Sequence, residues 1–438
     1  MEDTPIVKLL LKLSPPVMLA LLIQSVYNIV DSYFVSRYSD TGLTALSIIF
    51  PVQLLMTALA TGTGTGVNIL LSRMDGAGES KPQPDFVKSG LFLGVLNYVI
   101  FACIGLLCIE SFYSISSDQI LVREQGVQYA RIIFAGSFGL FIESNCTKIL
   151  QAKENMIIPM IAQITGAVIN VILDPIFIFG MFGMPEAGVT GAAFATIAGQ
   201  IAAMGITLTA VCRIYHFRGK VQVQNCINIY RTGIPSIIMQ SLYTLYIVGL
   251  NLILKQFTED AVTVLGIYYK LQTFFFIPLM GLQQVILPII SFNYGAGKKQ
   301  RVKDTLKYST FFSCGVMAAA AAVFLMIPEQ LLSIFSTSDS IIQIGRYALR
   351  IISGSFIPAG VVMMFTVYFQ GIDCGRASLF ITVLRQIILL VPLAWIFHYA
   401  GLNFVWFTFM VTEIIAAFVC LILYKKSKTE MSQTTDAV

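Results

Sequence analysis

Long apolar runs, separated by short polar segments, make up most of the chain. An α-helix of about 20 apolar residues crosses the hydrocarbon core of a bilayer, and these runs reach that length. We therefore predict an all-α polytopic membrane protein with twelve transmembrane helices. The predicted spans lie near residues 12–37, 43–71, 87–110, 121–149, 157–182, 188–212, 231–256, 262–292, 306–327, 341–369, 379–398 and 402–424.

The composition supports this assignment. Of the 438 residues, 56% are hydrophobic and 12% are charged, about half of the ~25% that is typical of soluble domains. The eight cysteines form no CxxC pair, so we interpret them as reduced, apolar side chains. His216 and His398 are the only histidines and lie far apart, which argues against a histidine metal site. No cleavable signal peptide is visible, and we expect no cofactor and no nucleic-acid partner.

The distribution of charge predicts the topology. Lysine and arginine concentrate in every second loop, and acidic residues in the others. Because cytoplasmic loops carry the excess of basic residues, both termini are expected in the cytoplasm. The predicted domains are an N-lobe with spans one to six (1–212), a cytoplasmic linker (213–230), a C-lobe with spans seven to twelve (231–424) and a cytoplasmic tail (425–438).

The two predicted lobes are repeats of one another. A gapless shift of 219 residues places Pro16 on Pro235 and Tyr27 on Tyr246. The same shift places the segment 76–78 on 295–297, Gly-Ala-Gly in both cases. With six spans in each half, the repeats share one orientation in the membrane. Transporters built from such parallel repeats usually hold their substrate between the halves, near the midplane.

The segment from Asn170 to Pro175 carries an acid inside an apolar run. An ionised carboxylate at the bilayer centre costs about 2.5–3.5 kcal/mol, so Asp174 requires an explanation. Asn170 lies four residues earlier, on the same helical face, and Pro175 frees the carbonyl of Val171. This set of oxygens suits a proton or a small cation. The alternative is a structural helix kink in which Asp174 is satisfied locally.

A polar stripe crosses the first span. Gln24, Tyr27, Asn28 and Asp31 have the spacing of one helical face. If Asp31 lies within the bilayer, it forms a pair of intramembrane acids with Asp174, and burial and mutual repulsion would both oppose ionisation. The alternative places Asp31 at the outer end of the span, where a carboxylate costs little.

Three further features lie inside the predicted spans: a glycine-rich segment and two more acids. The segment 61–66, Thr-Gly-Thr-Gly-Thr-Gly, does not match a phosphate loop, and we interpret its glycines as sites of close helix packing. Glu143 and Glu413 are further acids inside spans. For Glu413, titration and hydrogen-bonded packing remain equally open.

These motifs together resemble the multidrug and toxic compound extrusion (MATE) transporters over nearly the whole chain. The residues that carry the resemblance are Pro16, Asp31, 170–175, 191–196, 276–282 and 293–298. In the prokaryotic branch with N-lobe acids, the resemblance implies a proton or sodium site at the positions matching Asp31, Asn170, Asp174 and Thr196, with Gln24 and Tyr27 on the same network. It also implies a helix bend at Pro16 on protonation. Other members carry acids in spans seven and ten, and this chain does not.

The resemblance implies an antiporter, coupled to protons or sodium, that exports organic and often cationic amphiphiles by alternating access. The alternative is a flippase for a lipid-linked precursor, but few arginines lie inside the spans. No histidine pair, Ser-His-acid set or HExxH motif indicates an enzyme. We further expect a monomer, embedded in the lipid bilayer of the plasma (cytoplasmic) membrane. In this interpretation Asn28 and Glu413 support the substrate cavity, and Pro16 and Pro175 bend their helices.

Overall fold

The computed structural model describes residues 4–216 and 219–433, and within these ranges it contains helices and no strand. The helices are α1 Ile6–Tyr38, α2 Asp40–Gly76, α3 Gln83–Ser116, α4 Ile120–Gly136, α5 Phe138–Ala152, α6 Ile157–Phe179, α7 Val189–Tyr215, α8 Val223–Leu254, α9 Glu259–Gly295, α10 Lys299–Met326, α11 Pro328–Ser333, α12 Asp339–Ser353, α13 Phe356–Gly371, α14 Gly375–Val383, α15 Leu390–His398, α16 Leu402–Val405 and α17 Phe407–Gln433. A 3₁₀ turn (Met181–Gly183) precedes α7, and a π-helix (Leu384–Leu389) joins α14 to α15.

The described helices fit a polytopic membrane protein. Ten segments are long and apolar enough to cross a membrane, and α12 with α13, bent by 49°, adds an eleventh if the pair forms one span. The predicted fourth span consists of two shorter helices, α4 and α5, which separate at Ser137. A shift of 219 residues brings α4 and α5 onto α12 and α13. The described helices therefore give ten or eleven spans, and the predicted number of twelve stays a prediction.

Large apolar side chains on the helix surfaces agree with a lipid environment. Leu107 is 82% exposed, Phe311 81% and Phe418 64%. In water such surfaces would favour aggregation, whereas hydrocarbon solvates them and the helix satisfies its own backbone hydrogen bonds. Exposed apolar residues of this kind on α3, α10 and α17 are typical of helix faces that contact lipid.

The internal repeat extends to the ends of the helices. Both α2 and α9 contain 37 residues. The Ser39 hydroxyl caps α2 by accepting from the Gly42 N–H at 3.1 Å, and Thr258, its equivalent, caps α9 by accepting from the Ala261 N–H at 3.1 Å. Both helices end in the repeated Gly-Ala-Gly turn, whose last glycine has a positive φ. Only glycine adopts this backbone conformation without strain, which explains why both repeats carry it.

The chain divides into two compact units. One is Pro15–Gln240, and the other joins the residues up to Ser14 with those from Ser241 onward. Both ends of the predicted linker 213–230 are helical, because α7 continues to Tyr215 and α8 begins at Val223. The predicted lobe boundaries and the cytoplasmic placement of the linker and tail remain predictions.

The glycine-rich segment of α2 packs closely, as predicted. An added Cβ on Gly62 would lie 2.4 Å from the Ile237 side chain, and on Gly66 2.3 Å from the Ile229 carbonyl oxygen. On the next face, an added Cβ on Gly64 would approach the Lys148 side chain to 2.9 Å. The absence of side chains therefore lets α5 and α8 approach the backbone of α2.

Candidate functional site

The α1 stripe supplies the first part of the candidate site, within the unit Pro15–Gln240. The Gln24 side chain hydrogen-bonds the hydroxyl of Tyr27, one turn away. Asp31 follows on the same face and has one buried carboxylate oxygen, Oδ1. Asn28 is exposed, and its carbonyl accepts a hydrogen bond from the Ser32 hydroxyl at 2.9 Å. Tyr27 and Asp31 are half-buried, whereas Gln24 and Asn28 are exposed.

The second part comes from α6 and α7. Asp174 is fully buried and Asn170 nearly so. The Asn170 amide Nδ2 lies 3.4 Å from Asp174 Oδ1 and 3.4 Å from Thr196 Oγ1. These distances are at the outer limit of a hydrogen bond, so one amide is shared weakly between two acceptors. The predicted residues of spans five and six are therefore neighbours.

Electrostatic interactions connect the two parts. Asp31 acts on Asp174 through its charge. The Tyr27 hydroxyl lies within electrostatic range of Asp31, Asp174 and a third acid, Glu143. Tyr27 therefore lies within range of acids from three helices, α1, α5 and α6.

Three buried oxygens of this group have no hydrogen-bond partner: Asp31 Oδ1, Asn170 Oδ1 and Asp174 Oδ2. Buried polar atoms are rarely left unpaired, because each such atom costs free energy. Oxygen atoms are the ligands that hard cations prefer, and a proton could equally bind either acid. Among the described residues, this site included, no group of three His, Cys, Asp or Glu side chains is arranged to hold a metal ion. The three unpartnered atoms are all oxygens, which is the chemistry that the predicted proton or sodium site requires.

A cavity of about 100 Å³, partly open to its surroundings, adjoins this group. Its wall is formed by residues of α1, α5, α6 and α7, most of them polar or small. They are Gln24, Tyr27, Leu140, Glu143, Gln163, Gly166, Ala167, Asn170, Thr196, Gly199, Gln200 and Ala203. Asn170, Thr196 and Tyr27 belong both to the wall and to the group around the acids. A molecule in the cavity would therefore contact the residues that surround Asp31 and Asp174.

Close packing of α6 and α7 shapes the cavity. An added Cβ on Gly166 would lie 2.8 Å from the Gly199 carbonyl oxygen, and the reverse distance is 2.5 Å. These contacts bring Asn170 and Thr196 together across the helix interface.

The sequence did not predict the surroundings of Glu143. The Thr147 hydroxyl donates to Glu143 Oε1 at 2.6 Å, and Lys148, a buried cation, attracts the carboxylate. The Lys148 ammonium also donates to Gln151 Oε1 at 2.9 Å. A lysine five residues after an acid in an apolar run was the signal that could have revealed this group.

Comparison with known proteins identifies the family. A family model described as MatE matches residues 16–176 and 235–396, one segment in each repeat. The chain belongs to the MATE family. MATE proteins are transporters, which agrees with the predicted absence of an enzymatic site.

Named relatives and solved structures cover almost the whole chain. An FAD transporter from Shewanella oneidensis is 24% identical over 99% of this chain and 97% of its own length. The multidrug export protein MepA from Staphylococcus aureus is 25% identical over 96% of this chain and 94% of its own length. The fold resembles that of a MOP superfamily transporter from Pyrococcus furiosus, with a TM-score of 0.90 and 24% identity over 97% of this chain and 96% of that chain. It also resembles a variant of the Vibrio cholerae MATE transporter VcmN (TM-score 0.91, 20% identity, 97% of each chain).

Glu413 lies in the other compact unit of this MATE protein. Its Oε1 accepts from the Arg385 Nε at 2.5 Å, and both side chains are largely buried. Arg385 belongs to the π-helix Leu384–Leu389. Of the two interpretations left open for Glu413, the ion pair favours a structural role. No feature of the sequence near Glu413 indicates Arg385 as its partner.

The two predicted bending prolines lie inside continuous helices. α1 continues past Pro15 and Pro16, and α6 continues past Pro175 to Phe179. The boundary between the compact units falls between Ser14 and Pro15. A bend at Pro16 or Pro175 therefore remains a prediction about a change of state.

Proposed function

We propose that this protein is an antiporter that exports organic, often cationic, amphiphiles by alternating access, driven by a proton or sodium ion at Asp31 and Asp174. The observation that carries the proposal is the set of three unpartnered buried oxygens on Asp31, Asn170 and Asp174. Asn170 also lines the adjoining cavity, so ion and substrate would compete through a shared residue.

The coupling step follows from the chemistry of these groups. A protonated carboxyl group donates a hydrogen bond, whereas a carboxylate only accepts. Arrival of a proton at Asp31 or Asp174 would change the hydrogen-bond roles of Asn170, Thr196 and Tyr27. Sodium would act similarly by bringing the unpartnered oxygens around one cation. Because these residues line the cavity, ion binding would reshape it and lower its affinity for substrate. By linkage, substrate binding would lower the affinity for the ion by the same factor.

Bending of α1 would transmit this change. Pro16 has no backbone N–H, so the helix lacks one hydrogen bond there and bends at low cost. Pro175, one residue after Asp174, gives α6 the same property. Both prolines lie on the helices that carry the acids, which makes them suitable hinges for a movement that begins at Asp31 and Asp174.

The relatives support two substrate classes. MepA is a multidrug export protein, and the Shewanella relative is an FAD transporter. An acid in the cavity wall, Glu143, favours cations over a dinucleotide with two phosphates. The flippase alternative is less favoured, because Arg385 is paired with Glu413 rather than available to a lipid phosphate. We also propose a monomer in the plasma membrane, with both termini cytoplasmic and no cofactor besides the coupling ion.

Flux into proteoliposomes tests the proposal. Purified protein is reconstituted, a pH or a sodium gradient is imposed, and movement of tetraphenylphosphonium against the ion flow is recorded. We expect transport in response to at least one gradient and none in protein-free vesicles. A protein that transports the cation equally well without either gradient would contradict ion coupling.

A further inference from the structure

The cavity wall in the unit Pro15–Gln240 contains three acceptors beyond those of the acid pair. Glu143 is the one charged side chain among the residues that line it. Gln163 Oε1 and Asn170 Oδ1 are also in the wall, and both are buried without a hydrogen-bond partner. An acid and two unpaired amide oxygens supply the wall with acceptors for a positively charged group. Such a surface favours a positively charged molecule over a neutral or anionic one.

Glu143 is separate from the coupling acids. Asp31 and Asp174 do not line the cavity, whereas Glu143 does. All three acids lie within electrostatic range of the Tyr27 hydroxyl. Tyr27 lines the same cavity wall as Glu143 and is the cavity residue that feels the charges of all three acids.

The neighbours of Glu143 hold its carboxylate in place and leave hydrogen-bond acceptor sites on it open. Thr147, one turn later on α5, donates to Oε1. A carboxylate has about four acceptor sites, so this single hydrogen bond leaves most of them for a ligand. Lys148 offsets part of the negative charge but is not among the residues that line the cavity; its stem packs against Gly64 and its ammonium donates to Gln151.

We propose that Glu143 determines the charge preference of this transporter by pairing with the positively charged group of its substrate in the cavity. The inference rests on the proposed function and adds the residue that selects cations. Asp31 and Asp174 would bind the coupling ion, and Glu143 would bind the cationic substrate. Gln163 and Asn170 would accept hydrogen bonds from ammonium groups, and quaternary cations would rely on Glu143 alone.

Equilibrium binding of two probes of similar shape tests this division. Tetraphenylphosphonium is a permanent cation, and triphenylphosphine oxide is a neutral analogue. The full-length protein in detergent is titrated with each probe without any ion gradient. We expect Glu143→Gln to weaken cation binding by roughly tenfold or more, since an ion pair at low dielectric is lost. Binding of the neutral probe should change by less than about twofold, which also shows that the variant is folded.

Two further variants serve as controls. Glu143→Asp keeps the charge and should retain the preference for the cation. Glu110→Gln removes the same charge from an exposed residue of α3 that pairs with Arg131 outside the cavity. It should leave both affinities unchanged. Equal loss of cation binding in Glu110→Gln and Glu143→Gln would show a general effect of net charge and would overturn the inference.

Chemical labelling of the unaltered protein gives an independent measurement if Glu143→Gln does not fold. Dicyclohexylcarbodiimide modifies carboxyl groups in apolar surroundings, and mass spectrometry locates the modified residue. We expect tetraphenylphosphonium, but not triphenylphosphine oxide, to protect Glu143. Equal labelling with and without the cation, in protein that transports it, overturns the inference alone. Absence of any cation binding or transport by the unaltered protein would overturn the proposed substrate class as well.

Discussion

Replacing Asp174 by asparagine separates the structural role of this residue from its role in coupling. The described contact of the carboxylate is the Asn170 amide at 3.4 Å, and Oδ2 has no partner. A hydrogen bond this long contributes little, and the two side chains have the same shape. We therefore expect the free energy of unfolding to change by no more than about 1 kcal/mol. Asparagine cannot exchange a proton, however, so the variant should remain in one charge state.

The size of the functional effect follows from linkage. Coupling free energies between sites are typically about 1–3 kcal/mol, or roughly 5- to 150-fold in affinity. The affinity of the unaltered protein for tetraphenylphosphonium should therefore fall by at least about fivefold when acid pH or sodium fills the site. In Asp174→Asn this response should disappear, and gradient-driven efflux with it.

Fluorescence or calorimetric titration measures the affinity from mildly acidic to mildly alkaline pH, with and without sodium. Asp118→Asn is the matched control, because Asp118 is fully exposed and forms only a long ion pair with Arg123. Thermal unfolding checks that both variants remain folded. A folded Asp174→Asn protein with full efflux and an intact response to pH and sodium would refute the role assigned to this acid.

Three further outcomes are expected. Gly62→Val should lower the free energy of unfolding by roughly 1–3 kcal/mol through overpacking, which a lower melting temperature would show. Gly205→Ala, with open space around it, should leave the melting temperature unchanged. Glu413→Gln should lower the free energy of unfolding by about 3 kcal/mol, because it leaves the buried Arg385 unpaired. Adding Arg385→Met should recover stability. A Glu413→Gln variant as stable as the unaltered protein would contradict this. A cysteine introduced at Lys220 should resist an impermeant thiol reagent in intact cells and react after lysis, and labelling from outside would reverse the topology.

The parts of the fold that depend on local chemistry were predictable. The repeat appears in the sequence as matching residues at one shift, and the structure extends the match to the caps Ser39 and Thr258, which the sequence analysis did not predict. Asp174 was identifiable because a charge in hydrocarbon is costly and therefore needs a function or a partner. The helical spacing of Gln24, Tyr27 and Asp31 was likewise readable from the chain.

The parts that depend on contacts between distant spans were not predictable. Arg385 and Glu413 are separated by 28 residues, and nothing local to either one indicates the ion pair. Glu143 was recognised as an acid in a span, but the cavity beside it exists only after α1, α5, α6 and α7 have packed together. The break at Ser137 was missed because hydropathy continues across it.

Tyr27 offers the most direct way to examine whether the acids and the cavity act as one system. Its hydroxyl bonds Gln24 and responds to the charges of Asp31, Glu143 and Asp174, while its side chain lines the cavity. If this hydroxyl transmits the state of the acid pair, Tyr27→Phe should reduce the effect of pH on cation affinity without abolishing binding. The same substitution should then have little further effect in Asp174→Asn.

A double-mutant cycle for these two changes should give an interaction free energy of about 0.5–3 kcal/mol, as for residues in one network. Tyr98→Phe is the control, because the Tyr98 hydroxyl bonds the Ala135 carbonyl at 2.9 Å and does not line the cavity. Additive effects of Tyr27→Phe and Asp174→Asn, measured at both acid and alkaline pH, would mean that Tyr27 only shapes the cavity. Coupling would then have to pass through Asn170 and Thr196 alone, whose contact at 3.4 Å is long enough to change when a proton or sodium ion binds.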